Sequence, residues 1–256
     1  MVKHNYFRIG CTPISITNPE NAAKQISQFA KTGEGGYICV SNLRMVIFAN
    51  RDNEYLRLME SSLMNLPDGT PLTWCSKLWG LENTAVTNGP FMFHKLLSNV
   101  DTELKHYLLG DTQEVVDAIK KKYKKEFGAM IVGGKTLPFA NVDDFDYKTI
   151  AEQIKASGAN IVWTAMRAPK QDQFNQRIAK ILPNVVFLGV GRAFRISIGE
   201  VTDAPDWGRK LGISGIFTRK QGLGTTLVWY FKSAFSLAYY MCQIIVKRLM
   251  GKHCYE

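Results

Sequence analysis

The sequence predicts an α/β protein: a mostly parallel sheet with helices on both faces, followed by a basic, aromatic helical appendage at the C-terminal end. Three observations carry this. Short, nearly uninterrupted apolar runs alternate with amphipathic segments of helical period, as buried parallel strands and their crossover helices do. Gly, Asn and Pro punctuate the junctions between them. Beyond Pro205 the alternation stops, and the chain turns glycine-rich, basic and aromatic.

Taken in order, "ITNPENAAKQISQFAKTGEGG" is a helix with Asn18 as N-cap, Pro19 at the first helical position and Gly33 as stop. Its apolar stripe is Ala23, Ile26 and Phe29 or Ala30. "GYICVSN" is a short buried strand, and "LRMVIFANRDNEYLRLMESS" is helical with a break near Asn50. "KHYLLGDTQEVVDAIKKKYKKEFG" is a strand, a Gly-Asp-Thr turn and a helix with Val115, Val116, Ile119 and Tyr123 on one face. Then come a strand in "GAMIVGG", a helix in "YKTIAEQIKASG", a strand in "ANIVWTAM", a helix in "QDQFNQRIAKIL" and a strand in "NVVFLGVG". Ligands of such sheets bind beyond the carboxyl ends of the strands. Asn42, Gly110, Lys170, Gln171, Gly189, Gly191 and Arg192 all follow predicted strands closely. Asp68 joins them if "SLMNL" forms a short strand.

The expected division is a globular part over residues 1–205 and an appendage over 206–256. From Asp206 onward there are eight Lys or Arg against two acids, so more than half of the net charge of +10 lies in the last fifth of the chain. Residues 227–250 would make a helix of about 36 Å at 1.5 Å per residue. Its longest uncharged run, 233–246, has 14 residues, short of the ~20 that a spanning helix needs. Aromatic and aliphatic bulk with Lys232, Lys247, Arg248 and Lys252 near the ends fits an interfacial helix on an anionic membrane. A helix packed on the domain core is the alternative.

The composition, 46% hydrophobic and 21% charged, is that of a globular protein. Five cysteines without metal-ligand spacing make a disulfide framework or a metal centre unexpected and favour a reducing compartment. The N-terminal stretch lacks the apolar core of a signal peptide. Basic charge calls for an anionic partner: nucleic acid, phospholipid or a phosphorylated small molecule. "KKKYKKEF" reads as the solvated face of a helix, and aromatics with RNA-binding spacing are missing, so nucleic acid is not expected. "GVGR" lacks the third glycine of a dinucleotide fingerprint, and no phosphate loop of the GxxxxGK[ST] type occurs.

Asp68, in "LPDGTP", is either a turn former or a carboxylate at the mouth of a site. Asn42 is either a helix cap or a polar group at a strand end. "APKQD" stands at a strand-to-helix junction, where Lys170 and the first helical amides suit a phosphate, or where Pro and Asp simply open a helix.

In order and spacing, "CVSN", "LPDGTPLTW", "LLGDTQEVV", "APKQD", "FLGVGRAF" and "APDW" resemble the WecG/TagA/CpsF glycosyltransferases (glycosyltransferase family 26) from about Gly10 to Trp207. The resemblance implies a Rossmann-like domain. The implied activity is inverting transfer of an N-acetylmannosamine-type or related sugar from a UDP-sugar to a polyprenyl-pyrophosphate-linked acceptor, for bacterial surface polysaccharide or teichoic acid. No metal and no cofactor are expected beyond the donor itself. The enzyme would sit peripherally on the cytoplasmic face of the inner membrane, held by its C-terminal appendage, as a monomer or homo-oligomer.

By the same resemblance Asp68 matches the proposed general base, whose pKa partial burial would raise. Asn42 and Gln171 match catalytic positioning residues. Ser41, Gly69, Thr70, Asn88, Gly110, Lys170, Gly189, Gly191 and Arg192 fall on substrate-binding segments. Arg209, Lys210, Arg219, Lys220 and Lys232 would meet the lipid and its pyrophosphate. The chain departs from the family pattern at Phe91, Arg167, Arg195 and Asp203, the last two suggesting a swapped ion pair, and mildly at Asp172. These departures motivate the alternative of a catalytically weak homologue that binds a nucleotide sugar or a partner enzyme at the membrane.

Overall fold

The computed structural model describes residues 6–205, 207–208 and 223–254, which divide into two compact units. One unit comprises Pro19–Val40 and Gly89–Val201. It contains five strands of a parallel sheet, β3 (Gly36–Ser41), β5 (His106–Gly110), β6 (Ile131–Lys135), β7 (Ile161–Ala165) and β8 (Val186–Gly189), in the order β3-β8-β7-β5-β6. Every pairing is parallel, with Ile38 opposite Leu188, Trp163 opposite Leu188 and Gly110 opposite Ala165.

The helices of this unit are α1 (Pro19–Thr32), α5 (Gly89–Leu97), α6 (Gln113–Phe127), α7 (Tyr147–Ser157), α8 (Lys170–Ile181) and α9 (Ala193–Ser197). They cover both faces. Trp163 points to one side, where its ring meets Phe93 of α5 edge-on at 5.0 Å, and Phe93 in turn meets Phe194 of α9. On the other side Phe174 of α8 packs against Phe145 and Tyr147. Fully burying each such ring is worth roughly 1.5–3 kcal/mol. Local signals set the boundaries. Thr112 caps α6 and Gly128 ends it at φ 67°, while Asp146 caps α7 and Gly158 ends it at φ 70°.

The other unit comprises Met1–Asn18, Ser41–Asn88 and Thr202–Glu256. It opens with an antiparallel hairpin, β1 (Tyr6–Ile9) and β2 (Thr12–Ser15), closed by the two-residue loop Gly10–Cys11 with Gly10 at φ 63°. Then come α2 (Leu43–Ala49), α3 (Asn53–Glu60), β4 (Met64–Pro67), α4 (Thr70–Leu78) and the C-terminal helix α10 (Leu223–Leu249).

Asn50, the cap residue that separates α2 from α3, stitches the hairpin down. Its amide donates to Ile9 O, Val46 O and Thr12 Oγ1, and its oxygen accepts from Cys11 N at 2.7 Å. Asn65 holds β4 in the same way, donating from its side chain to Met59 O and from its backbone to Ser15 Oγ. The α10 helix packs on α4 and α2 through buried Ser233, Tyr240 and Ile244, and Arg248 donates to Leu78 O.

Candidate active site

In the unit that holds Ser41–Asn88, six of the expected residues gather at two strand ends. Ser41 closes β3, and its carbonyl accepts from Asp68 N at 2.8 Å. This bond fixes Asp68 directly after β4. Pro67 O accepts from Thr87 N at 2.8 Å, so Asn88 follows a residue tied to the same strand end. Asn42 is the N-cap of α2, its side-chain oxygen accepting from Met45 N, and it is exposed. Both readings of Asn42, cap and exposed polar group at a strand end, therefore describe it. Gly69 adopts φ 112°, ψ 148°, close to the region that only glycine populates. That kink turns the chain from β4 into α4, which begins at Thr70. Asp68 is thereby left half-buried beside the positive end of a helix. The Ser41 hydroxyl is fully buried and has no hydrogen-bond partner among the described residues.

In the other unit, Gly110, Gln171, Gly189, Gly191 and Arg192 surround the ends of β5, β7 and β8. Gly110 at φ 107° and Asp111 at φ 60° make the turn out of β5. A side chain at Gly110 would come within 3.2 Å of Ala165 O on the neighbouring strand. The Gln171 side chain lies over Gly189, where a Cβ would fall 2.7 Å from Gln171 Cδ. Gln171 is buried, and its Oε1 has no hydrogen-bond partner among the described residues. Arg192 is exposed at the start of α9.

Lys170 was expected to face a phosphate. Its ammonium donates to Ala140 O and lies 5.1 Å over the Phe145 ring and 5.4 Å over Phe139. An aliphatic stem beside the exposed Phe139 ring and the buried Phe145 ring gains more from covering them than from extending alone into water.

The sequence had suggested pairing Arg195 with Asp203. In its own unit Arg195 grips Asp111 through two bonds, Nη2 to Oδ1 at 2.6 Å and Nε to Oδ2 at 3.1 Å, and also meets Glu200. The Asp111 carboxylate pushes the guanidinium pKa up further. The bidentate pair braces the left-handed turn after β5 against the helix after β8. Sequence reasoning missed this brace. The Gly-Asp pair at a strand end was the available signal.

Arg209, Lys210, Arg219 and Lys220, expected to meet lipid pyrophosphate, lie outside the described residues. Lys232 is exposed on α10. Among the described residues, no group of three His, Cys, Asp or Glu is arranged to hold a metal ion, and no helix is long and apolar enough to cross a membrane. Burial pushes the Cys75 thiol up to about 12, which leaves it a packing residue of α4.

With this geometry in hand, residues 7–218 match the sequence model of the glycosyl transferase WecG/TagA/CpsF family. The chain belongs to that family. As a WecG/TagA/CpsF protein it is a glycosyltransferase, and its polar strand-end loops are the part of such a fold where a nucleotide sugar would be sought. Its relatives include the N-acetylglucosaminyldiphosphoundecaprenol N-acetyl-beta-D-mannosaminyltransferase of Bacillus subtilis (strain 168), 24% identical over 184 residues, which covers 72% of this chain and 70% of the relative. The protein of the same name from Bacillus spizizenii (strain ATCC 23059 / NRRL B-14472 / W23) is 25% identical over 175 residues, 68% of this chain and 66% of the relative.

Proposed function

We propose that this glycosyltransferase moves an N-acetylmannosamine-type sugar from UDP to a sugar carried on polyprenyl diphosphate, inverting the anomeric centre, with Asp68 as general base. The observation that carries the proposal is the setting of Asp68: half-buried, pinned by its backbone to the end of β3, and kinked by Gly69 into the start of α4. A carboxylate on a backbone fixed at a strand end suits a proton acceptor.

The acceptor hydroxyl attacks the anomeric carbon from the face opposite UDP. Its proton passes to Asp68, the new C–O bond forms, and the bond to the diphosphate breaks with its electron pair leaving on UDP. A positioned base contributes roughly 10²–10⁴-fold to such a step. Asn42 and Gln171 hold the substrates. Backbone amides and cationic side chains neutralise the departing diphosphate without a metal. The names of the two Bacillus relatives support both the sugar and the lipid-linked acceptor.

Residues 206–256 act as the membrane-associating segment, on the cytoplasmic face, where a lipid-linked acceptor is reached. The outward face of α10 supports this. Val228, Phe231, Phe235, Tyr239, Val246 and Leu249 are all exposed at spacings of three, four or seven residues, and Lys232 and Lys252 flank them. Apolar side chains enter the interface while each basic residue near an anionic surface adds about 1 kcal/mol.

The test is transfer of labelled N-acetylmannosamine from UDP to N-acetylglucosaminyl-diphosphopolyprenol, with and without EDTA, and the linkage read by NMR. Inverted product at equal rate in both is expected. Loss of activity in EDTA would overturn metal independence, and absence of product would overturn the donor–acceptor pair.

A further inference from the structure

We infer that Asn175 is a positioning residue for Gln171 and acts through a buried bridging water. The inference rests on the reading of Gln171 as a substrate-holding residue. The two stand four positions apart on α8, so both project from one face, one turn apart. Asn175 is fully buried and Gln171 is 5% exposed. Among the described residues, neither the Asn175 amide nitrogen nor its oxygen has a hydrogen-bond partner, nor has Gln171 Oε1, so the two amides do not bond each other.

A buried amide left without partners destabilises the fold, and an apolar residue would avoid that cost at position 175, where Phe174 and Ile178 beside it are both buried. A turn of helix is about 5.4 Å, close to the span of two hydrogen bonds meeting at one water. The Asn175 nitrogen donates to that water, and the water donates to Gln171 Oε1. Held from behind in this way, the Gln171 amide keeps one rotation over Gly189, with its oxygen inward and its nitrogen free to turn to substrate. Asn175 itself is too buried to touch substrate.

Two measurements on the full chain test this. The first is a crystal structure at a resolution that shows ordered water. A water within hydrogen-bonding distance of both Gln171 Oε1 and Asn175 Nδ2 is expected, and a dry contact or a direct amide–amide bond there would overturn the inference. The second is kinetic, with Asn175→Leu, Gln171→Leu and the double variant. Asn175→Leu is expected to keep or raise Tm, to lower kcat about tenfold or more, to leave KM for the donor little changed, and to add nothing once Gln171 is already Leu. A merely structural asparagine would move Tm and leave kcat alone, which would sink the inference, as would full additivity of the two substitutions. If Gln171→Leu by itself leaves turnover unchanged, the reading of Gln171 has failed and the inference falls with it.

Discussion

Glycine at 189 decides where Gln171 can lie. The amide occupies the space that any side chain at 189 would need, since a Cβ would stand 2.7 Å from Cδ and 2.8 Å from Nε2. Those atoms belong to the far end of a flexible side chain, so Gly189→Ala should cost little stability. It should still displace Gln171, and a misplaced positioning group costs turnover by as much as ~10²-fold. We therefore expect Gly189→Ala to match Gln171→Ala in kcat with a Tm near wild type. Wild-type turnover in Gly189→Ala would detach Gln171 from the reaction. In the sequence "GVGR" was legible as a strand-end loop with a failed dinucleotide fingerprint. What each glycine admits was not legible, because the occupant comes from a helix eighteen residues earlier in the chain. Lys170 illustrates the same gap: its charge and its place at a helix start were legible, but its engagement with Ala140 O and the rings of Phe139 and Phe145 depends on a loop thirty residues away.

At the scale of elements, the crossover units were the most legible part. Helices with both a cap and a stop, such as α1, α6 and α7, fall where Asn18, Thr112, Asp146 and the following glycines put them. The break near Asn50 is also present, between α2 and α3. The β1–β2 hairpin and α4 went unread. The hairpin strands are four residues each, and Pro13 within β2 argues against a strand until its partner is known.

For α10 the sequence left open a core helix or an interfacial one, and the two faces answer separately. Ser233, Tyr240 and Ile244 pack on α4 and α2, while the Phe231–Phe235 side is about 70% exposed. Replacing both phenylalanines by serine should weaken sedimentation with vesicles rich in anionic lipid and leave Tm unchanged, because neither ring supports the packed face. Equal vesicle binding would remove α10 from the membrane account.

Over the whole molecule, stability should fall with acid through one buried histidine. His106 of β5 accepts from Trp163 Nε1 at 3.1 Å, which requires its neutral form, and burial lowers its pKa to about 4. The unfolded chain, with an ordinary histidine near 6.5, binds the proton first. Stability is therefore complete above about pH 6.5 and is lost as pH falls toward 4, by about 3 kcal/mol for that shift. Denaturant titrations between pH 4 and 7 should show this slope in the wild type and a flatter one in His106→Phe, which is also less stable at pH 7 because Trp163 loses its acceptor. Parallel slopes in the two proteins would mean that His106 titrates normally.

The catalytic account turns on Asp68, and the most direct measurement is single-turnover sugar transfer by Asp68→Asn beside UDP binding by the same protein. Asparagine keeps the size of the side chain and the backbone bond to Ser41 O, and removes only the proton acceptor. Transfer is expected to slow by roughly 10²–10⁴-fold while the affinity for UDP stays at the wild-type value. Wild-type transfer rates in Asp68→Asn would contradict the account.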